Sequence, residues 1–219
     1  MESGRLKMAF CDVFAFHAEA GLLDPLARFL SEDELKRAAS YRRDDSRVMF
    51  SVCRGALRRI LSGYLGTDPG GIELSRLEGG KPVVKGIEFN VSHSEGFCVI
   101  AVSDVPVGID VEKKSPRDFA GISARYFSEA EGDAISRSQS PSSLFYRAWC
   151  MRESMAKLRG TGVWRLMALS PVMDPDALRV VGPESLKGVF FREIPFDGFC
   201  AVVCQFDDVV PVLYFPSFS

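Results

Sequence analysis

Two carboxylates on one short alternating segment are the residues most able to do chemistry here. In Val107-Gly108-Ile109-Asp110-Val111-Glu112 apolar residues alternate with Gly, Asp and Glu, the period of a β-strand with one buried face. Val107, Ile109 and Val111 then face one way, and Asp110 and Glu112 the other. Their Cβ atoms lie about 6.7 Å apart, a spacing at which two side chains bend onto one hard cation at about 2.1 Å. A third acid comes from a helical pattern further on. Trp149, Glu153 and Lys157 step by four and share a helix face, with Arg152 and Ala156 beside them. Three carboxylates brought together without a metal would repel one another and be driven toward protonation. Mg²⁺ removes that conflict, and it favours a few carboxylates plus phosphate oxygens.

Other motifs narrow the chemistry. Asn90-Val91-Ser92-His93-Ser94 is no hydrolytic pair, because neighbours on a strand point to opposite faces and Ser92 cannot readily meet His93. No G-x-S-x-G elbow is present. His93 close to an acidic strand reads as a phosphate-binding imidazole. Gly79-Gly80-Lys81-Pro82 lacks the glycine spacing of a Walker A loop and reads as a turn presenting Lys81. Zinc is disfavoured, since the only histidines are His17 and His93 and no Cys/His spacing fits. A crowd of basic residues from Lys36 to Arg59, including Arg47 and Arg54, reads either as a solvated helix face or as a site for an anionic small molecule.

The elements that must position these residues are legible in outline. Residues 8–16 read as a strand. Ser31 with Glu34 forms a capping box that opens a helix toward Tyr41, and a second helix runs from Asp45 to Tyr64 with Gly66 ending it. Short strands are expected at 73–75, 88–91 and 97–102. A helix opens at Ser128, a longer one spans 143–158, and the remainder alternates like β-structure. Glu95-Gly96-Phe97-Cys98-Val99-Ile100-Ala101-Val102 recurs as Asp197-Gly198-Phe199-Cys200-Ala201-Val202-Val203-Cys204, each copy closing a half of helices followed by strands. The expected fold is α+β, a duplicated unit in two similar subdomains, 1–105 and 106–219, with the acidic strand at the seam.

Composition sets the outer bounds. At 219 residues and 47% hydrophobic content the chain is globular, and a net charge of −2 gives no field to hold nucleic acid or an anionic membrane. No apolar run reaches membrane-spanning length, and the six cysteines form no C-x-x-C pair, so a cytoplasmic protein with reduced thiols is expected.

Taken together, Gly80-Lys81-Pro82, Phe89 to Ser94, Val107 to Glu112, Arg125-Tyr126-Phe127-Ser128 and Trp149 to Lys157 resemble, in order and spacing, the 4′-phosphopantetheinyl transferase superfamily. The likeness is to its two-lobed type, which serves polyketide and nonribosomal peptide synthases. The resemblance implies Mg²⁺-dependent transfer of 4′-phosphopantetheine from coenzyme A to a serine of an acyl or peptidyl carrier protein, releasing adenosine 3′,5′-bisphosphate. It implies two α+β lobes in pseudo-twofold arrangement with coenzyme A in the cleft, and it places the metal on Asp110, Glu112 and Glu153. It carries coenzyme contacts onto Arg47, Arg54, Lys81, Pro82, Ser92, His93 and Lys157, and catalytic roles onto Glu153, Lys157 and His93. Arg152 departs from the family's usual Lys. The internal duplication favours a monomer. Two rivals are a metal-dependent coenzyme A pyrophosphate hydrolase and a non-catalytic module that binds coenzyme A or a carrier.

Overall fold

The computed structural model describes residues 9–77, 80–167 and 171–218. Met8, at the head of the expected first strand, and Gly79, in the expected turn, lie outside the described residues. The strands are β1 (Cys11–His17), β2 (Ser75–Arg76), β3 (Pro82–Val83), β4 (Glu88–Ser94), β5 (Phe97–Ser103), β6 (Val107–Lys113), β7 (Val172–Asp174), β8 (Arg179–Gly182), β9 (Phe190–Phe196), β10 (Phe199–Gln205) and β11 (Val212–Tyr214). The helices are α1 (Leu23–Ala27), α2 (Glu32–Ala39), α3 (Asp44–Leu65), α4 (Phe119–Tyr126), α5 (Glu129–Arg137), α6 (Pro141–Leu158) and α7 (Val163–Met167).

Two sheets follow one plan. The first runs β11-β1-β5-β4 and the second β6-β10-β9, so in each the opening strand pairs antiparallel with the last strand of a hairpin. The long helix of each half covers the outer face of its sheet: α3 packs on Cys98, Ile100 and Val102, and α6 on Cys200, Val202 and Cys204. The inner faces meet through Val99 and Ala101 against Ala201 and Val203. β5 and β10 are therefore buried on both faces, which is why each reads as a continuous apolar run rather than an alternation. Positions equivalent by the octamer repeat touch across the interface. The rings of Phe97 and Phe199 lie 4.6 Å apart, and Gln205 Nε2 donates to Ser103 Oγ at 3.0 Å. A local twofold that passes between β5 and β10 accounts for both contacts.

A buried ion pair repeats the symmetry. Ser31 caps α2 with Glu34 in a reciprocal box, and Ser128 caps α5 with Glu131 in the same way. Each box glutamate also accepts from a buried arginine on the long helix, Arg58 to Glu34 at 2.7 Å and Arg152 to Glu131. Further guanidinium donors reach loop and helix carbonyls: Pro69, Gly70 and Ile72 for Arg58, and Ala148 and Pro171 for Arg152, whose Nε is left without a partner. Arg152 also lies over the Phe127 ring, 4.3 Å from its centroid. Only a planar fork serves this many acceptors at once. Arg152→Lys is therefore expected to lower stability by about 1–2 kcal/mol through lost hydrogen bonds and stacking, measured by denaturant unfolding.

The structure departs from the sequence reading in three places. The last strand does not stay with the second half: β11 adds in parallel to β1, so Val212–Tyr214 covers the free edge of the first sheet. Val163–Met167 is helical rather than β-like, because it caps back onto Gly162 and buries Leu166 in the core beside α6. Phe119–Tyr126 is also a helix, N-capped by the Asp118 side chain, which accepts from the Gly121 backbone N–H at 3.0 Å. All six cysteines are buried and unbridged, and no described helix is long and apolar enough to cross a membrane.

Candidate active site

The edge strands β4 and β6 run side by side without a backbone ladder. Side chains replace it. Asn90 Oδ1 accepts from Ile109 N at 3.2 Å, Ser92 Oγ from Val111 N at 3.3 Å, and Ser94 Oγ from Lys113 N at 3.0 Å. Short polar residues at every second position of β4 thus seat β6, and the acids of β6 come to the joint. Ser92 Oγ donates to Asp110 Oδ1 at 2.9 Å, and Ser94 Oγ donates to Glu112 Oε2 at 3.3 Å.

Helix α6 supplies the third wall. Its half-buried stripe is Trp149, Glu153 and Lys157, amid otherwise buried neighbours. Lys157 Nζ donates to Asp110 Oδ1 at 2.7 Å and to Ser92 Oγ at 2.8 Å. Gly108 makes this approach possible, since a Cβ there would sit 2.0 Å from Ser154 O and 2.6 Å from Leu158 N.

The electrostatics follow from crowding. Asp110 is 4% exposed, and its Oδ2 is buried without a hydrogen-bond partner. Burial and then the Asp110 charge push the Glu153 carboxyl up to about 7, against relief from Lys157. Burial and Asp110 raise Glu112 as well, with Arg117, Ser94 and Lys157 pulling the other way. Among the described residues no three acids, histidines or cysteines converge at metal-binding distance; Asp110 Oδ1 is taken up by Lys157 and Ser92.

Two cavities open beside this cluster. One, of about 520 Å³, is lined by Arg37, Arg43, Arg54, Arg76 and His93 among others, and its floor includes Cys53 and Leu57 of α3. The other, of about 240 Å³, brings Lys81 and Lys157 together with Asn90 and Thr161. A basic chamber, a lysine pair and an acidic cluster with an orphaned oxygen suit a polyphosphate ester at a site of phosphoryl chemistry.

The family model for the 4′-phosphopantetheinyl transferase superfamily matches residues 106–188. The 4′-phosphopantetheinyl transferase HetI of Nostoc sp. is 33% identical over 178 residues, 75% of this chain and 75% of its own. The chain belongs to the 4′-phosphopantetheinyl transferase superfamily. The transferase Sfp of Bacillus subtilis (strain 168) is 33% identical over 112 residues, 49% of this chain and 50% of its own. The Bacillus pumilus transferase psf-1 is 44% identical over 89 residues, 38% of each chain. The protein is thus an enzyme, a phosphopantetheinyl transferase.

With the transferase identified, each expected site residue has a place. Asp110, Glu112, Glu153 and Lys157 gather at the seam, and Lys81, Pro82, Arg54 and His93 line the adjoining cavities. Arg54 also meets Glu34 at 3.5 Å. Burial lowers the pKa of Arg54 and Lys81, and burial followed by Lys157 lowers that of His93. Two residues are used differently. Ser92 is buried, and its hydroxyl is saturated: one proton goes to Asp110, and both lone pairs accept from Lys157 and Val111. It orients the cluster, with all of its bonds made within the chain. Arg47 does not line the basic cavity and pairs with Asp44 at 3.0 Å. The cavity is faced by Ser46, Met49, Phe50, Cys53, Arg54 and Leu57; Arg47, three residues before Phe50 and seven before Arg54, stands at the edge of that helical stripe with its guanidinium turned to Asp44. Arg76, on β2 opposite Pro82, joins the cavity, a position the sequence offered no spacing signal to single out. Arg152 faces the interior of the second half, so its guanidinium does not take the place of a lysine in the cleft.

The Glu153 shift has a measurable consequence. The folded carboxyl holds its proton up to about pH 7, whereas its ordinary value is 4.5. Between these values the folded chain binds the extra proton, so stability falls as pH rises through the window. Partial solvent access limits the effect to about 1–2 kcal/mol. Thermal unfolding in a chelating buffer from pH 5 to 8 should show that decline, and Glu153→Gln should flatten it.

Proposed function

We propose that the enzyme transfers 4′-phosphopantetheine from coenzyme A to a serine hydroxyl of an acyl or peptidyl carrier protein in a Mg²⁺-dependent reaction, with adenosine 3′,5′-bisphosphate as the other product. The observation that carries this reading is the buried, partnerless Asp110 Oδ2 set among two further acids beside a basic cavity. The donor set fits Mg²⁺: hard carboxylate oxygens, one of them lacking any partner. Asp110, Glu112 and Glu153 would hold the ion, which when bound supplies neutralisation of charge on the diphosphate.

The chain's own residues do the rest. The arginines of the larger cavity take the adenosine 3′-phosphate, with Arg54, Arg37 and Arg43 offering guanidinium forks. Lys81 and Lys157 flank the diphosphate from the smaller cavity, and Lys157 donates where negative charge develops on the leaving group. His93 contacts phosphate from the wall it shares with Arg54. Glu153, on the open stripe of α6, receives the serine proton, directly or through a water. The reading divides the chain into lobes 1–105 and 106–219, apart from the returning β11. Since one chain supplies both walls of the cleft, the enzyme acts as a monomer, and six buried, unbridged cysteines support a cytoplasmic setting.

The test is intact-mass analysis of apo-carrier proteins incubated with coenzyme A and Mg²⁺. A gain of one phosphopantetheine on the carrier, abolished by chelation, is the expected result. Rapid cleavage of coenzyme A without a carrier, and no carrier modification, would replace transfer by hydrolysis.

A further inference from the structure

A cavity of about 440 Å³ lies on the outer side of the first half and shares no lining residue with either cavity of the catalytic cleft. Its walls are aromatic and aliphatic: Phe14 from β1, Leu26 and Phe29 from and after α1, Tyr64 from α3, and Phe218 from the C-terminal segment. Phe218 is held there edge-on to Phe16, with ring centroids 5.0 Å apart. Two arginines, Arg28 and Arg59, also line the cavity, and both are exposed. Among the described residues neither has a carboxylate within salt-bridge reach.

Two glycines of α3 differ in setting. Gly55 is buried, and a Cβ there would lie 2.3 Å from Leu26 O. Gly63 is an exposed lining residue of this cavity, and a Cβ there would meet nothing within 4 Å, so the position accepts a larger side chain.

We propose that this cavity is a binding site for an amphiphilic monoanion, a medium-chain carboxylate with its chain against the aromatic walls and its head between Arg28 and Arg59. An apolar enclosure with a few convergent polar groups is the usual form of a small-molecule site, and such sites run from about 300 to 1,000 Å³. The two guanidiniums set the sign of the head group, because each offers a fork that a carboxylate accepts bidentately. The site is separate from transfer, so its occupancy is read apart from the reaction proposed above.

The experiment is calorimetric titration of the full chain with decanoate below its micellar concentration, alongside decyltrimethylammonium (same chain, opposite charge) and acetate (same head, no chain). Saturable one-to-one binding of decanoate alone is expected. The double variant Arg28→Ala/Arg59→Ala should bind at least tenfold more weakly. Gly63→Leu should fill the space and abolish binding, while its rate of carrier modification stays within twofold of the parent. Absence of saturable decanoate binding, equal binding of the cationic probe, or undiminished binding in both variants would overturn the site. The carrier-modification assay on the parent chain reports separately on the transferase mechanism, so neither failure is mistaken for the other.

Discussion

Asp110→Asn is expected to lower carrier modification by about a thousandfold or more, with the thermal midpoint close to that of the parent. The substitution keeps the side chain's shape and retains an oxygen to accept from Ser92 and Lys157, as Oδ1 does at 2.9 and 2.7 Å. The amide nitrogen then takes the place of Oδ2, the one oxygen of the cluster that is buried without a partner. The variant therefore removes the charge and the free lone pairs at a single atom and leaves the seam between β4 and β6 standing. A thousandfold loss corresponds to about 4 kcal/mol of transition-state stabilisation, the scale expected when a charge-neutralising group at a phosphoryl centre is lost. A second readout separates the metal from the fold. Mg²⁺ should raise the thermal midpoint of the parent by binding the native state alone, and should leave the Asn variant unmoved. Turnover within tenfold of the parent would remove Asp110 from the reaction, and an equal Mg²⁺ response in both chains would remove it from the metal.

How far such a site can be read from sequence depends on which interactions are local. The alternation of β6 fixes which face carries Asp110 and Glu112, and the four-residue step fixes Glu153 and Lys157 on α6; both are periodicities within one element. The capping boxes at Ser31 and Ser128 are local too, and each opens a helix where expected. What each box glutamate does next is not local. Glu34 finds Arg58 and Glu131 finds Arg152 more than twenty residues away, so no spacing in the sequence shows that Arg152 braces the interior. Ser92 shows the same limit. Its motif marks it as special, but only the neighbour strand reveals that β6 and Lys157 consume its whole bonding capacity. Arg47 shows it too: helical period sets it beside Phe50 and Arg54, and only the structure shows its guanidinium turned to Asp44. The parallel pairing of β11 with β1 had no local signal, since an edge accepts any extended segment of suitable reach.

Gly108→Ala tests whether this architecture, rather than the list of site residues, makes the enzyme. A Cβ at this position would stand 2.0 Å from Ser154 O, 2.6 Å from Leu158 N and 2.9 Å from Leu158 Cβ. Two of the three are helix backbone, which no side-chain rotation relieves, so α6 must lift from β6. The expected destabilisation is about 3 kcal/mol or more, a fall of roughly 6–12 °C in thermal midpoint for a chain of this size. Activity should suffer beyond the loss of folded protein. Glu153 is adjacent to Ser154 and Lys157 to Leu158, so the displaced turns are those carrying the chemistry, and a shift near 1 Å costs about a hundredfold in rate. Gly55→Ala is the matched control. Its Cβ would crowd Leu26 O at 2.3 Å, a comparable clash on a helix of comparable burial, but against α1 on the side away from the cleft. The two variants should lose similar stability; Gly55→Ala, beside the cavity residue Arg54, should raise KM for coenzyme A with kcat per folded molecule near the parent value, whereas kcat collapses for Gly108→Ala. Equal retention of kcat in both would mean that the placement of α6 on β6 does not govern transfer, and that Lys157 acts from a position less strictly held than its contact with Asp110 requires.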